Sequence, residues 1–169
     1  MVHLQTPRLI LREFVAEDFS LLLALDSDPE VMRYISEGKP RTEAEVRGFL
    51  ESCMAGYGSG FGFWAAEEGG EFVGWFHFRP DRTFPDEIEV GYRLKHSAWG
   101  RGLATEGSRA LIEKGFSEGV QSVTGRTMLG NLASARVLEK AGLTLVGEYQ
   151  EDRWPGSDKT ALLFRQSIS

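Results

Sequence analysis

Residues 87–105 read EIEVGYRLKHSAWGRGLAT, which combines a strand, a loop and the start of a helix. In 87–94 apolar side chains alternate with other residues, and this alternation predicts a β-strand. Gly100 and Gly102 follow in a loop directly before a helical pattern. Glycine adopts positive φ angles without strain, and a helix N-terminus carries N–H groups that the helix itself leaves unbonded. The loop is therefore predicted to bind an anion through its backbone.

The charge of this segment differs from that of the whole chain. The chain has 19 Lys and Arg residues against 25 Asp and Glu residues, a formal net charge of −6. Residues 90–105 contain no acidic residue and include Arg93, Lys95 and Arg101. A locally positive field beside the glycine loop favours an anionic ligand. The overall negative charge disfavours a nucleic acid partner.

Several common site signatures do not fit the sequence. The Walker motif GxxxxGK[ST] is absent, and the dinucleotide fingerprint needs a third Gly or Ala where Thr105 stands. The hydrolase motif GxSxG is also absent, and His3, His77 and His96 lack the spacing of metal ligands. The sequence therefore predicts no metal site.

The length and composition suit one globular domain over residues 1–169, with 41% hydrophobic and 26% charged residues. Cys53 is the single cysteine, which excludes a disulfide within the chain and fits a reducing cytoplasm. It lies on the apolar stripe of a predicted helix, so we expect a core residue rather than a nucleophile. No apolar run approaches the roughly 18 residues that span a membrane, and no membrane partner is predicted.

Hydrophobic periodicity and turn residues predict a mixed α/β fold. The order is strand, helices, three strands, helix, strand, helix and two strands. The predicted strands are 8–14, 63–67, 71–78, 87–94, 122–128, 143–150 and 160–167, and the main helices are 16–25, 42–57, 102–119 and 131–141. Residues 91–127 form a strand–helix–strand crossover.

Three separate motifs resemble one known family. The glycine loop resembles the acyl-CoA pyrophosphate motif Q/R-x-x-G-x-G/A of the GCN5-related N-acetyltransferases (GNAT superfamily), with Trp99 first, Gly102 fourth and Ala104 sixth. Trp99 departs from the usual Gln or Arg. This substitution, the segment TPRLILR at 6–12 and NLASARVLEKAGL at 131–143 resemble the branch that contains the bacterial ribosomal-protein N-terminal acetyltransferases.

The resemblance implies a three-layer fold, with helices on both faces of a mixed, mostly antiparallel sheet of about seven strands that splays between the fourth and fifth. It implies transfer of an acetyl group from acetyl-CoA, the co-substrate, to a primary amine without an acyl-enzyme. It also implies a CoA site formed by the main chain of Tyr92, Arg93 and Leu94 and the side chain of Asn131 for the pantetheine arm, and by Gly100, Arg101, Gly102, Leu103, Ala104 and Thr105 for the pyrophosphate.

The catalytic residues differ from those of many superfamily members. Leu138 stands where many members have a tyrosine that protonates the leaving thiolate, and Arg126 stands where some have a glutamate base. Ser134, close to the thioester sulfur in similar proteins, is the candidate acid. Glu89 on the fourth predicted strand is the candidate base, acting directly or through water. The alternative is that Glu89 only pairs with an arginine or orders a loop.

The acceptor amine is not determined by these motifs. A protein N-terminal α-amine is favoured, because at pH 7 it costs about 1 kcal/mol to neutralise, whereas a lysine costs about 4.6 kcal/mol. A small-molecule amine, such as a polyamine, an amino acid or an antibiotic, is the alternative acceptor. A non-catalytic acyl-CoA-binding domain and a nucleotide-binding regulatory module are two further alternatives. The oligomeric state stays open, although members of the branch often form homodimers.

Overall fold

The computed structural model describes residues 1–35, 37–150 and 160–168. The strands are β1 Val2–Gln5, β2 Ile10–Arg12, β3 Gly62–Glu68, β4 Glu71–Pro80, β5 Ile88–Leu94, β6 Ser122–Met128, β7 Thr144–Gln150 and β8 Thr160–Ser167. The α-helices are α1 Phe19–Ser27, α2 Pro29–Met32, α3 Glu43–Ala55, α4 Leu103–Ser117 and α5 Leu132–Lys140. Short 3₁₀ turns at Ala16–Asp18 and His96–Ala98 precede α1 and the glycine loop.

The strands form one sheet in the order β1-β2-β3-β4-β5-β6-β8-β7. Adjacent strands are antiparallel except β5 and β6, which are parallel. The predicted mixed, mostly antiparallel sheet is confirmed. Within the described residues the sheet has eight strands rather than about seven, because the sequence did not predict β1. That strand is only four residues long, and it pairs with β2 across a turn closed by a hydrogen bond from the Thr6 N–H to the Leu9 carbonyl at 2.8 Å.

The sheet splays between β5 and β6, as predicted. These strands pair only at Ile88 with Val123 and at Glu89 with Thr124. The pairing of β5 with β4, in contrast, continues to Leu94. The edge of β5 that faces β6 is therefore unpaired from residue 90 onward, and this opening gives access to backbone N–H and C=O groups.

Helix α4 connects β5 to β6 and lies very close to the sheet. A Cβ atom at Gly107 would lie 2.4 Å from the Phe76 ring, and one at Gly115 would lie 2.5 Å from the Phe78 ring. The two glycines therefore let the aromatic rings of β4 pack directly against the helix backbone. This contact fixes the N-terminus of α4 beside the opening in the sheet.

Helices cover both faces of the sheet, and each face has its own apolar core. On one face α4 and α5 pack against side chains that include Phe76, Phe78 and Phe164. On the other face α1 and α3 pack against side chains that include Ala65 and Trp75. Cys53 belongs to this second core, which confirms the prediction, and burial raises the pKa of its thiol to about 12.

Among the described helices, none has the length and apolarity needed to cross a membrane.

Candidate active site

A cleft runs through the opening between β5 and β6 and continues along the N-terminus of α4. Eleven of the twelve predicted site residues line this cleft, namely Glu89, Tyr92, Arg93, Leu94, Gly100, Gly102, Leu103, Ala104, Thr105, Asn131 and Ser134. The twelfth, Arg101, directs its guanidinium to Glu68, with contacts of 2.7 and 2.8 Å. The tertiary structure thus brings the end of one strand, the glycine loop and the start of α5 to one place.

The glycine loop has the geometry of an anion-binding turn. Gly100 and Gly102 have φ angles of 71° and 78°, and Gly102 is the N-cap of α4. No side chain in the described part of the chain caps this helix end. The N–H groups of its first turn and the positive end of the helix dipole are therefore available to an anionic ligand at the cleft.

Two of the basic side chains counted in the sequence do not supply free positive charge. The buried Arg93 donates to Asp26 Oδ1 at 2.7 Å, and burial lowers the pKa of its guanidinium. Arg101 is paired with Glu68. The expectation of a positive field from these side chains is wrong, because acidic residues distant in sequence neutralise them. Besides the backbone of the loop and α4, two further basic residues, Arg136 and Lys140, line the cleft.

Trp99 connects the end of β5 to the glycine loop. Its indole N–H donates to the Leu94 carbonyl at 3.0 Å, and its ring meets His96 edge-on at 4.7 Å between centroids. These contacts close the short turn His96–Ala98 and set the direction in which the loop leaves the strand. They give a structural reason for a tryptophan at the first position of the motif.

Asn131 and Ser134 begin α5 on the opposite wall of the cleft. The Asn131 side-chain carbonyl caps the helix by accepting from the Ser134 N–H at 3.2 Å. The Ser134 hydroxyl accepts a hydrogen bond from the Tyr92 hydroxyl, also at 3.2 Å. Only a main-chain role was predicted for Tyr92, although strand alternation puts its side chain on the face of Ile88 and Val90.

The Tyr92 hydroxyl is held in its neutral form. Burial raises its pKa, and the hydrogen bond to Ser134 offsets only part of this effect. At neutral pH the group therefore keeps its proton and acts as a donor. Leu138 is 2% exposed and packs against Gly125, so this position contributes to the core rather than to the cleft.

Glu89 is a lining residue of the cleft and has two arginines and a histidine as neighbours. Its carboxylate accepts from Arg79 Nη2 at 3.0 Å, and Arg126 Nη1 lies 3.7 Å away. His77 Nε2 lies 3.8 Å from the other carboxylate oxygen. The alternative that Glu89 pairs with an arginine is thus present in the structure, and Glu89 is also a lining residue of the cleft.

Arg126 is held by an acidic residue that the sequence analysis did not identify. Asp81 binds it through both oxygens at 2.6 and 2.9 Å and also accepts from the Thr124 hydroxyl. Burial opposes ionisation of Asp81, but these hydrogen bonds outweigh it and lower its pKa well below the usual range. Asp81 lies 45 residues from Arg126 in the chain, so only the fold reveals this pair.

The far wall of the cleft comes from α2 and the residues after it. Glu30, Val31, Tyr34 and Ile35 line this side. They were not predicted as site residues, because the sequence of a short helix does not show what the helix will face. They line the same cleft as the glycine loop and Glu89.

The comparisons with known proteins agree with this geometry. The family model described as "Acetyltransferase (GNAT) domain" matches residues 8–144. The FsC-acetyl coenzyme A-N(2)-transacetylase of Aspergillus fumigatus is 38% identical over 154 residues, which cover 85% of this chain and 65% of that protein.

Solved structures agree in fold. A GNAT-family acetyltransferase from Bacillus anthracis has a TM-score of 0.84 at 24% identity, covering 99% of this chain and 98% of that one. RimL, the ribosomal L7/L12 α-N-protein acetyltransferase, in complex with coenzyme A, has a TM-score of 0.84 at 17% identity, with the same coverage.

An open sheet that splays beside a glycine loop at a helix N-terminus defines an acetyltransferase fold. The chain belongs to the GNAT acetyltransferase family. The sequence-based prediction of an acetyl-CoA-dependent N-acetyltransferase, similar to the RimL-type proteins, is confirmed for the family and the class of enzyme.

Proposed function

We propose that this protein transfers the acetyl group of acetyl-CoA directly to an α-amine. The observation that carries the proposal is one continuous cleft, which joins the glycine loop to the Tyr92–Ser134 pair and to Glu89. A phosphate-binding end, a proton donor and a carboxylate in one place can bind the co-substrate and assist both proton transfers of this reaction.

The residues present fit acetyl-CoA. The pyrophosphate suits the N–H groups of Gly102–Thr105 at the start of α4, where no side chain of the described residues caps the helix. The two amides of the pantetheine arm suit the unpaired edge of β5 at residues 90–94, which they extend like a strand. The side-chain NH₂ of Asn131 is a further donor for this arm, since its carbonyl is used in the helix cap.

The transfer begins when the neutral amine attacks the thioester carbonyl and forms a C–N bond. The carbonyl oxygen becomes an oxyanion that a backbone N–H can stabilise. When the C–S bond breaks, the electron pair stays on sulfur as a thiolate. Ser134 protonates this thiolate, and the Tyr92 hydroxyl, which donates to Ser134 Oγ, replaces the proton that Ser134 gives up.

The attacking nitrogen must also lose a proton as the amide forms. Glu89 is the proposed acceptor of that proton, through a water molecule, because its carboxylate lines the cleft while it remains bound to Arg79. The hydrogen bond from Arg79 orients the carboxylate and leaves its other oxygen 3.8 Å from His77. A positioned carboxylate of this kind contributes roughly 10²-fold or more to the rate.

An α-amine is the proposed acceptor class. The Aspergillus fumigatus relative is named for transfer to an N(2) nitrogen, and RimL is named for acetylation of a protein α-amine. An α-amine is also about 3.6 kcal/mol less costly to neutralise at pH 7 than a lysine side chain. A protein or peptide N-terminus and a small-molecule α-amine both fit this description.

The test is a thermal-shift titration with CoA followed by an acceptor panel. CoA at 100 times its Kd should add about 2.7 kcal/mol to the free energy of unfolding. Thiol release from acetyl-CoA is then measured with free N-terminal peptides, the same peptides blocked at the N-terminus but carrying a lysine, amino acids and polyamines. If the protein is folded and its melting temperature does not change at saturating CoA, the proposed CoA site is wrong. A preference for the blocked lysine peptides contradicts the proposed acceptor class.

The cellular compartment, the domain organisation and the oligomeric state are further proposals. A reducing compartment such as the cytoplasm is proposed because the single cysteine of the chain, Cys53, is buried as a free thiol. Residues 1–169 are proposed to be one domain, since a single sheet connects strands from both ends of the chain. A homodimer is proposed from the resemblance alone, and analytical ultracentrifugation tests it.

A further inference from the structure

The segment TPRLILR at 6–12 belongs to the motifs that mark this chain, yet the proposed reaction uses none of its residues. In the structure its first part contacts the start of α4. The Thr6 hydroxyl donates to Glu106 at 2.6 Å, and the main-chain N–H of Arg8 donates to the same carboxylate at 2.9 Å. The turn between β1 and β2 is thereby attached to the first turn of α4, 100 residues later in the chain.

The Arg8 side chain extends this attachment to the glycine loop itself. Its Nε donates to Glu106 Oε2 at 2.7 Å, and its Nη1 donates to the main-chain carbonyl of Arg101, also at 2.7 Å. Its Nη2 lies 3.4 Å from the point where a Cβ of Gly102 would stand. Arg8 is not among the residues that line the cleft, whereas Gly100 and Gly102 are. The guanidinium therefore supports the loop from behind.

The hydrogen bond from Arg8 to the Arg101 carbonyl orients the peptide group between Arg101 and Gly102. The described peptide bonds are all trans, and in a trans peptide the C=O of one residue and the N–H of the next point in opposite directions. Arg8, which is not a lining residue of the cleft, holds the Arg101 carbonyl toward itself. The Gly102 N–H consequently points away from Arg8, and the proposed function requires this N–H as a donor to the pyrophosphate.

The same guanidinium neutralises a negative charge close to the proposed phosphate position. Glu106 stands in the first turn of α4, where the helix dipole favours a carboxylate but where a carboxylate would also repel a bound phosphate. Burial opposes ionisation of Glu106, but hydrogen bonds from Thr6 and Arg8 outweigh it and lower its pKa. Glu106 is thus ionised near neutral pH, and Arg8 is the cation that balances it.

We propose that Arg8 is a positioning residue for the CoA pyrophosphate, which orients the Arg101–Gly102 peptide and shields the phosphate from Glu106. The proposal rests on the proposed function, since it assumes that CoA binds at this loop. Lysine at this position keeps the charge but has no planar fork with which to bind Glu106 and the Arg101 carbonyl together.

The test measures the Kd of CoA by isothermal titration for the wild type, Arg8→Met, Arg8→Lys and Arg12→Met. Arg8→Met should raise the Kd by about tenfold, and Arg8→Lys by a smaller factor, about threefold. Arg12 is the matched control, because it pairs with Asp18 and Glu67 and does not contact the loop. Arg12→Met should lower the melting temperature but leave the Kd of CoA within twofold.

Pantetheine, which lacks the phosphates, distinguishes an effect on the pyrophosphate site from a distortion of the whole cleft. Its competition with CoA should give the same pantetheine Kd in the wild type and in Arg8→Met. Equal weakening of CoA and pantetheine, or an unchanged Kd of CoA in a folded Arg8→Met variant, overturns the role of Arg8. Failure of the folded wild type to bind CoA overturns the proposed function itself and is recognised before any variant is compared.

Discussion

The hydroxyl of Tyr92 on β5 donates a hydrogen bond to Oγ of Ser134 on α5 at 3.2 Å. The tyrosine that many family members carry on the helix is replaced here by the buried Leu138. A phenol nevertheless reaches the cleft, from the neighbouring strand. Because burial raises the pKa of Tyr92, this phenol remains protonated at neutral pH and can support Ser134 as a proton donor.

Removal of either hydroxyl should lower kcat and leave CoA binding intact. We expect Tyr92→Phe and Ser134→Ala each to reduce kcat by roughly 10- to 100-fold, since the leaving thiolate loses its proton source. The double variant should be little slower than the slower single variant, because the two groups act in series. Thiol release and CoA titration measure the two effects. Unchanged kcat in Ser134→Ala would remove Ser134 from the mechanism.

A branched side chain at Gly102 should weaken CoA binding beyond its effect on stability, because its Cβ would lie 3.4 Å from Arg8 Nη2 and disturb the contact that supports the loop. Gly102 has a φ of 78°, so Gly102→Val is expected to cost about 1–2 kcal/mol of stability from backbone strain. Gly70→Val is the matched control, since Gly70 has a φ of 83° in a turn where a Cβ would meet nothing within 4 Å. Both variants should lose similar stability by denaturant unfolding. Equal CoA affinity in the two would argue against contact at the loop.

Glu89→Gln should separate a proton acceptor from a structural partner of Arg79. Glutamine retains an oxygen that can accept from Arg79 but carries no charge, so the free energy of unfolding should fall by about 3 kcal/mol while the variant stays folded and binds CoA. As a base, Glu89 cannot be replaced by an amide, and we expect kcat to fall by roughly 10²-fold. The pH dependence of kcat/KM provides the second measurement, because activity of the wild type should rise with pH on the acid side. Wild-type kcat in Glu89→Gln would leave Glu89 with the structural role only.

The Asp81–Arg126 pair should make stability depend on pH in the acid range. The pKa of Asp81 in the folded protein lies below its value in the unfolded chain, so its stabilising contribution is present above about pH 4 and is lost as the pH falls. We expect Asp81→Asn to cost roughly 3 kcal/mol at pH 7, because Arg126 loses its buried partner. This difference from the wild type should shrink below pH 4.

Asp86→Asn is the control for that measurement, since Asp86 is exposed in the same loop between β4 and β5. It should leave the free energy of unfolding unchanged within about 0.5 kcal/mol. Urea unfolding at pH 7 and at pH 3 distinguishes the two variants. An Asp81→Asn effect of equal size at both pH values would contradict the assigned role of the carboxylate.

Local sequence was sufficient to predict the elements that depend on residues close together in the chain. The capping box of Thr42 and Glu45 begins α3, and the alternation in 87–94 forms β5. The two glycines of the loop have the positive φ angles expected of them. Each of these features depends on residues within one or two turns of chain, where propensity and hydrogen bonding act without the rest of the fold. The short β1 was missed, because it forms only by pairing with β2.

The chemistry of the cleft depended on contacts that no local pattern contains. Charges counted as free in the sequence are neutralised by distant partners, Arg93 by Asp26 and Arg101 by Glu68. The Tyr92–Ser134 bond joins residues 42 positions apart, and the contact of Arg8 with Arg101 spans 93. The sequence alone determined the order of the elements and the backbone conformation of the glycine loop, because these follow from local periodicity and glycine conformation, and it indicated the family through the resemblance of its motifs. Which side chains face one another across the cleft was decided only by the tertiary structure, since the packing of α4 and α5 on the splayed sheet brings them together.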